Sequence, residues 1–220
     1  MVLSESIQDY LKTIYQLRQG AERVTTNALA GQLGIAAASV TGMLKKLSEL
    51  RLVEYEPYQG ARLTPAGEKI ALEVIRHHRL LELYLRDAMG YTWDQVHDEA
   101  ERLEHAISEE FADRMSQLLG DPKIDPHGNP IPSKDGTVAA PSRRKLSDAA
   151  PGETVEIERI EEDDTALLRR VAELGLMPGA RLVVARPAPG DDAVAARTEH
   201  GRRQVRIERD VASRVFVREE

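Results

Sequence analysis

No cysteine occurs in the 220 residues, so neither a disulfide nor a thiolate metal site is available to this chain. No segment approaches the roughly 18 consecutive apolar residues that a membrane helix needs. The opening MVLSESIQDYLKTIYQL lacks a basic start followed by a continuous apolar run, which argues against a secretory signal and for a cytoplasmic protein without a membrane partner. An excess of positive charge is missing too: 30 Lys and Arg stand against 37 Asp and Glu, for a formal net charge of −7. That balance disfavours a nucleic-acid partner at first sight, yet phosphate binding needs only a local basic face. Lys45, Lys46, Arg51 and Arg62 supply one in the first third, while acid gathers between Asp94 and Asp113.

Apolar spacing predicts a helix over Ser4 to Arg18, with Ile7, Tyr10, Leu11, Ile14, Tyr15 and Leu17 on its apolar side. Thr26 is the expected cap of a second helix, Asn27 to Leu33, which stops at Gly34; a third covers Ser39 to Leu50. Two short helices around a glycine turn make a helix-turn-helix, and LVEYEPYQGARLT reads as a β-hairpin wing. A long helix is predicted from Thr64 to Met89 and another from Thr92 to Leu119. Gly120 to Lys145 is rich in Pro, Gly and Ser and reads as a linker without a helix. Beyond it, TVEIERI, ARLVVARP, VAARTE, RQVRIER and RVFVRE are strand-like, with one helix from Ala166 to Glu173, implying a small barrel.

The chemistry concentrates in HDEAERLEH. On a helix, His97, Glu101, Glu104 and His105 follow i, i+4, i+7 and i+8 and share one face. His78 and Glu82 form a second i, i+4 pair on the preceding helix, and a short connection at Gly90 makes the two helices antiparallel neighbours. Four of the six histidines lie between residues 77 and 105. Carboxylates and imidazoles without sulfur suit Mn²⁺, Fe²⁺ or Zn²⁺. A carboxylate-bridged metalloenzyme would need Glu-x-x-His pairs on two helices, whereas Glu101 and His105 are i, i+4 and unrepeated. A metal-independent regulator with an acidic partner-binding face is the other alternative. For DNA, the third helix offers Ser39, Thr41, Gly42, Lys45 and Lys46 to a major groove; Thr26 precedes it and Arg62 lies on the wing.

The segments DYLKTIY, SVTGMLKKLSELRLVEYEPYQGARLTPAG, RHHRLLELYL, VHDEAERLEH and FADRMSQLLGDPKIDPHGNPIP together resemble the diphtheria toxin repressor family of iron- and manganese-dependent regulators. GETVEIERI and ELGLMPGARLVV resemble the SH3-like domain of that family and of ferrous-iron transport accessory proteins. The resemblance implies a mainly α chain: a winged helix-turn-helix (1–65), a helical dimerisation and metal-binding domain (66–120), a Pro-rich linker (121–145) and an SH3-like β-barrel (146–220). It implies a non-enzymatic repressor that binds palindromic double-stranded operator DNA as a homodimer when loaded with Mn(II) or Fe(II). It assigns Asp9, Glu101, Glu104 and His105 to a primary metal site, and His78, Glu82 and His97, with Asp164 from the C-terminal domain, to an ancillary one. Asp9 and Glu101 stand where iron-sensing relatives carry Met and Cys, which is manganese-like. Lys12 stands where two-manganese members carry an acid, and Gly42 where relatives carry a longer polar side chain.

Overall fold

The computed structural model describes residues 3–18, 22–161, 164–188, 190–198 and 204–219. The chain forms two compact units, one of residues 1–77, 104–107 and 132–137, the other of 78–103, 108–131 and 138–220.

In the first unit, α1 (Glu5–Leu17), α2 (Thr26–Leu33) and α3 (Ala37–Glu49) surround one apolar centre. Leu11, Ile14, Leu29, Val40, Leu44 and Leu47 are fully buried there, so the helical spacing read from the sequence is the spacing of the core. The cap of α2 is Thr25, one residue before the expected Thr26: its hydroxyl accepts from the Ala28 amide at 3.1 Å. Gly34, at φ 65°, ends that helix. The wing is the antiparallel pair β1 (Val53–Glu56) and β2 (Gly60–Leu63). Gly60 cannot be replaced cheaply. Its φ is 100°, and a Cβ there would lie 2.3 Å from the Val24 carbonyl oxygen. That contact lets Val24 bridge to Ala61 and ties the wing to the start of α2.

Helix α4 (Pro65–Met89) is continuous. The predicted helix from Thr92 to Leu119 is instead two: α5 (Val96–Leu103) and α6 (Glu109–Leu118). Ser108 starts the second, its hydroxyl accepting from the Phe111 amide at 3.2 Å with Glu109 and Glu110 in the first turn. Glu104 to Ala106 therefore form a turn, outside the helix that carries His97 and Glu101.

The second unit is built on a five-stranded antiparallel sheet. Its strands β3 (Thr154–Ile160), β4 (Arg181–Ala185), β5 (Val194–Thr198), β6 (Gln204–Ile207) and β7 (Val215–Glu219) run in the order β6-β5-β4-β3-β7. Helix α7 (Thr165–Glu173) and the short α8 (Arg209–Ala212) cover it. Leu146, Ile157, Ile160, Leu168 and Leu182 fill the interior, and Trp93 packs against them. The Pro-rich segment has no helix, as expected, but it is no solvated tether: Asp125 to Ile131 are buried. Asp125 Oδ1 accepts from the His127 and Asn129 amides at 2.8 and 2.9 Å, an Asx-type turn that frees Gly128 to lie on β3. A Cβ at Gly128, φ 90°, would meet the Glu158 carbonyl oxygen at 1.9 Å. Among the described residues no helix is long and apolar enough to cross a membrane.

Candidate metal centres and nucleic-acid interface

In the first unit, α1 presents Asp9 to the turn after α5. Asp9 Oδ1 lies 2.8 Å from His105 Nε2, and Glu104 Oε1 lies 3.4 Å from the same nitrogen. Gln8 Oε1 takes the other ring nitrogen at 2.5 Å. Three residues, two carboxylates and one imidazole, thus converge from positions about ninety residues apart in sequence. The hydrogen bond to Asp9 raises the His105 pKa above the ordinary imidazole value; burial opposes it, the charges of Glu104 and Asp9 add to it, and Lys12 works against it. Lys12 also reaches this cluster. Its ammonium lies 2.9 and 2.8 Å from the two oxygens of the buried Glu104 carboxylate.

In the second unit, Glu82 is completely buried and ringed by imidazoles. His78 Nε2 lies 3.0 Å and His97 Nδ1 3.3 Å from Glu82 Oε1, and the two ring nitrogens are 3.1 Å apart. The other oxygen, Oε2, has no hydrogen-bond partner and stands 3.5 Å from His127 Nδ1. Burial alone would raise the Glu82 pKa. Attraction to His78 and the imidazoles of His127, His78 and His97 overcome this and hold the carboxyl well below the usual range. Asp125 joins the group, its Oδ2 3.5 Å from Arg79 Nε.

These donor sets fit a divalent ion. Ligand atoms about 2.0–2.2 Å from a metal stand roughly 3 Å from each other, which is the spacing found around Glu82 Oε1. Glu82 Oε2 is the more telling sign, since it is buried with no donor closer than His127 Nδ1 at 3.5 Å, and a buried carboxylate oxygen without a close partner is costly. Imidazole and carboxylate without sulfur match Mn²⁺ or Fe²⁺.

The residues expected at these sites separate as follows. Asp9, Glu104 and His105 come together, and so do His78, Glu82 and His97. The resemblance assigns Glu101 to the Asp9 group; in the structure its carboxylate stands 3.7 Å from His78 Nδ1 and 4.0 Å from His97 Nε2. Asp164 does not enter either cluster. It is the N-cap of α7, accepting from the Ala166 and Leu167 amides at 2.9 and 3.1 Å and pairing with Arg214 at 2.9 Å. Those partners use its acceptor capacity and hold its pKa low, the backbone bond from Leu167 first. Asp125 and His127 were not foreseen. The DPHG run was legible as a turn, but only tertiary closure brings it to Glu82.

The residues expected to meet DNA lie on α3, at the start of α2 and on the wing. Ser39, Gly42, Lys45 and Lys46 are exposed, and Thr41 is half-buried with its hydroxyl donating to the Ala37 carbonyl at 3.0 Å. A Cβ on Gly42 would meet nothing within 4 Å, so the position is open. Thr26 lines a cleft of ≈ 660 Å³ with Ala38, Thr41, Lys45 and Tyr55. Arg62 is engaged: its guanidinium lies 2.6 Å from Glu54 and 3.2 Å from Glu22. Arg23 is paired likewise, with Glu56 at 2.5 Å. Thr25, Asn27 and Tyr58 also line the cleft. Tyr58 is fully exposed at the wing tip with φ 66°; an aromatic beside Gln59-Gly60 was the available signal.

Comparison with known proteins decides the identity. Residues 2–61 match the iron-dependent repressor N-terminal DNA-binding domain. Residues 64–133 match the metal-binding and dimerisation domain of the same repressors, and 144–219 match the FeoA domain. The iron-dependent repressor IdeR of Mycobacterium leprae is 30% identical over 195 residues, covering 83% of this chain and 84% of the relative. The chain belongs to the iron-dependent repressor family. Repressors of this family are DNA-binding transcriptional regulators, not enzymes. A manganese-dependent transcriptional repressor solved with manganese superposes with a TM-score of 0.89 at 35% identity, covering 97% of this chain and 100% of that one. The manganese regulator SloR gives 0.78 at 29%, covering 97% and 98%. The diphtheria toxin repressor of Corynebacterium glutamicum is 35% identical over 130 residues, 59% of this chain and 57% of that protein.

Proposed function

We propose that this repressor binds a palindromic operator as a homodimer, and that Mn(II), or Fe(II), held at Asp9, Glu104 and His105 controls that binding. One observation carries the reading: Asp9 of α1 and His105 of the turn after α5 bring a carboxylate oxygen and an imidazole nitrogen within 2.8 Å. Helix α1 buries Leu11 and Ile14 in the same core as α3. Whatever fixes Asp9 therefore fixes the platform on which the recognition helix stands. A divalent ion supplies a stronger link between Asp9 and the Glu104–His105 turn than their own hydrogen bond can. Selecting one arrangement from 1:99 to 99:1 takes a preference of about 10⁴-fold, or ~5.5 kcal/mol. In the second unit, His78, Glu82, His97 and Glu101, with His127 and Asp125 on the far side of Glu82, form an ancillary centre. Its role is to brace α4, α5 and the Asp125–Ile131 segment.

In DNA binding, α3 enters the major groove with Ser39, Thr41 and Gly42 toward base edges and Lys45 and Lys46 toward phosphates, with Thr26 at the cleft edge. Arg62, engaged by Glu54, orients the wing rather than meeting phosphate. The test is operator binding titrated with Mn²⁺, Fe²⁺ or chelator, for wild type and Asp9→Ala. Binding by the wild type that rises with metal and is lost in the variant supports the reading. Equal binding with chelator and with metal would refute it.

A further inference from the structure

We propose that Lys12 is a built-in cation of the Asp9–Glu104–His105 centre, limiting it to one exchangeable divalent ion and lowering its affinity for that ion. The inference rests on the reading of Asp9 and His105 as metal ligands. It concerns what the centre does with its charge.

Lys12 lies three residues after Asp9 on α1, so both side chains leave the same face of the helix. Its ammonium spans both oxygens of Glu104, at 2.8 and 2.9 Å. The side chains are 7% and 0% exposed, so water does little to screen the pair. An ammonium in that place does what a metal ion would do for Glu104: it satisfies both oxygens and cancels the charge. Two carboxylates and one ammonium leave the centre with one net negative charge when His105 is neutral. One divalent cation takes this to one positive charge, and a second would take it to three. Mutual repulsion beside the buried Lys12–Glu104 pair opposes the second ion. The remaining lone pairs of Glu104 can still serve one ion beside Lys12, since each carboxylate oxygen offers two acceptor sites. The same pair has a second consequence. Glu104 keeps a partner when no ion is present, so the turn after α5 stays docked on α1 in the metal-free protein.

The experiment counts manganese per chain by elemental analysis in the full-length protein and its Asp9→Ala variant. Their difference is the number of ions held at this centre. One ion is expected for wild type and for Lys12→Arg, and two for Lys12→Glu, each against the matching Asp9→Ala background. Lys12→Met should bind its single Mn²⁺ more tightly, by on the order of tenfold or more, because a repelling charge a few ångströms away is gone. Its metal-free melting temperature should fall, because the buried Glu104 carboxylate then loses the ammonium that meets both its oxygens. Circular dichroism in the presence of Mn²⁺ checks that each variant is folded. A wild type that loses two ions on Asp9→Ala overturns the proposal. So does a Lys12→Glu protein that still holds one, with Lys12→Met no tighter than wild type. If Asp9→Ala costs wild type no manganese, the underlying reading of the ligands has failed, and that is visible before any Lys12 variant is made.

Discussion

His105 holds Asp9 through its Nε2 at 2.8 Å while Gln8 takes its Nδ1 at 2.5 Å, so both ring nitrogens face acceptors. That arrangement suits an imidazolium, in keeping with a pKa raised first by the hydrogen bond to Asp9. The folded pKa lies above the unfolded one. The stabilisation of the metal-free protein is therefore complete below about 6.5 and is lost as pH rises through the folded value. Metal ligation needs the neutral ring, so protons compete with the ion. Apparent Mn²⁺ affinity should fall by up to about tenfold per pH unit below the raised pKa and level off above it. Calorimetric titration across neutral pH measures this. Asp9→Asn should move the break to lower pH, and an affinity that does not change with pH would contradict the assignment.

The buried Glu82 carboxylate makes a second prediction. Glu82→Gln keeps the shape but removes the anion that three imidazoles surround. Loss of a charged, hydrogen-bonded partner inside the protein costs about 2–3 kcal/mol, and the expected result is a lower melting temperature in metal-free protein. The variant should also bind less metal per chain and show a smaller thermal gain when Mn²⁺ is added. Binding of metal to the native state alone stabilises by RT ln(1 + [L]/Kd), about 2.7 kcal/mol at one hundred times Kd. An unaltered thermal shift in Glu82→Gln would remove Glu82 from the metal ligands.

Much of this architecture was readable in advance because it is local. Ile7, Leu11 and Ile14 mark the inner face of α1, and the Gln59-Gly60 turn marks the wing. The break between α5 and α6 was hidden because apolar residues continue through it, while the stop is set by the Ser108 cap and by Glu104 pairing with Lys12 far away in sequence. The pairing of His78 with Glu82 was legible from their i, i+4 spacing. His127 was not, since its place depends on how Gly128 seats on β3. The place of Asp164 also depends on contacts that spacing does not show. An aspartate before a helix has two possible uses, and here capping the Ala166 and Leu167 amides took precedence.

Gly128 is therefore a structural prediction in its own right. Gly128→Ala puts a methyl group against the Glu158 carbonyl in a backbone conformation that alanine disfavours. The segment from Asp125 to Ile131 must shift, carrying His127 away from Glu82. The expected cost is about 2 kcal/mol or more, with reduced metal content. Gly120→Ala is the control: its φ is also positive, 77°, but nothing stands within 4 Å of the added Cβ. It should cost only about 1 kcal/mol. Equal melting temperatures for the two variants would mean that the contact with β3 does not hold the segment.

The DNA face gives the last test, and charge pairing decides its outcome. Lys45 and Lys46 are exposed on α3, whereas the Arg62 guanidinium already lies 2.6 Å from Glu54. A phosphate-binding lysine releases about one counterion, so Lys45→Ala and Lys46→Ala should each weaken operator binding across all sequences and lower the salt slope by about 1. Arg62→Ala should change the slope much less, because its charge is cancelled before DNA arrives. Gly42 behaves differently, since the space around it is open. Gly42→Asn adds a donor and acceptor that can pair with a base edge, and a good pair is worth about 1–3 kcal/mol of discrimination. It should sharpen preference at one operator position without altering the salt slope. Fluorescence anisotropy over a range of salt concentrations and single-base operator variants separates these effects. A salt slope equally reduced by Arg62→Ala and Lys45→Ala would show that the wing arginine leaves Glu54 to meet phosphate.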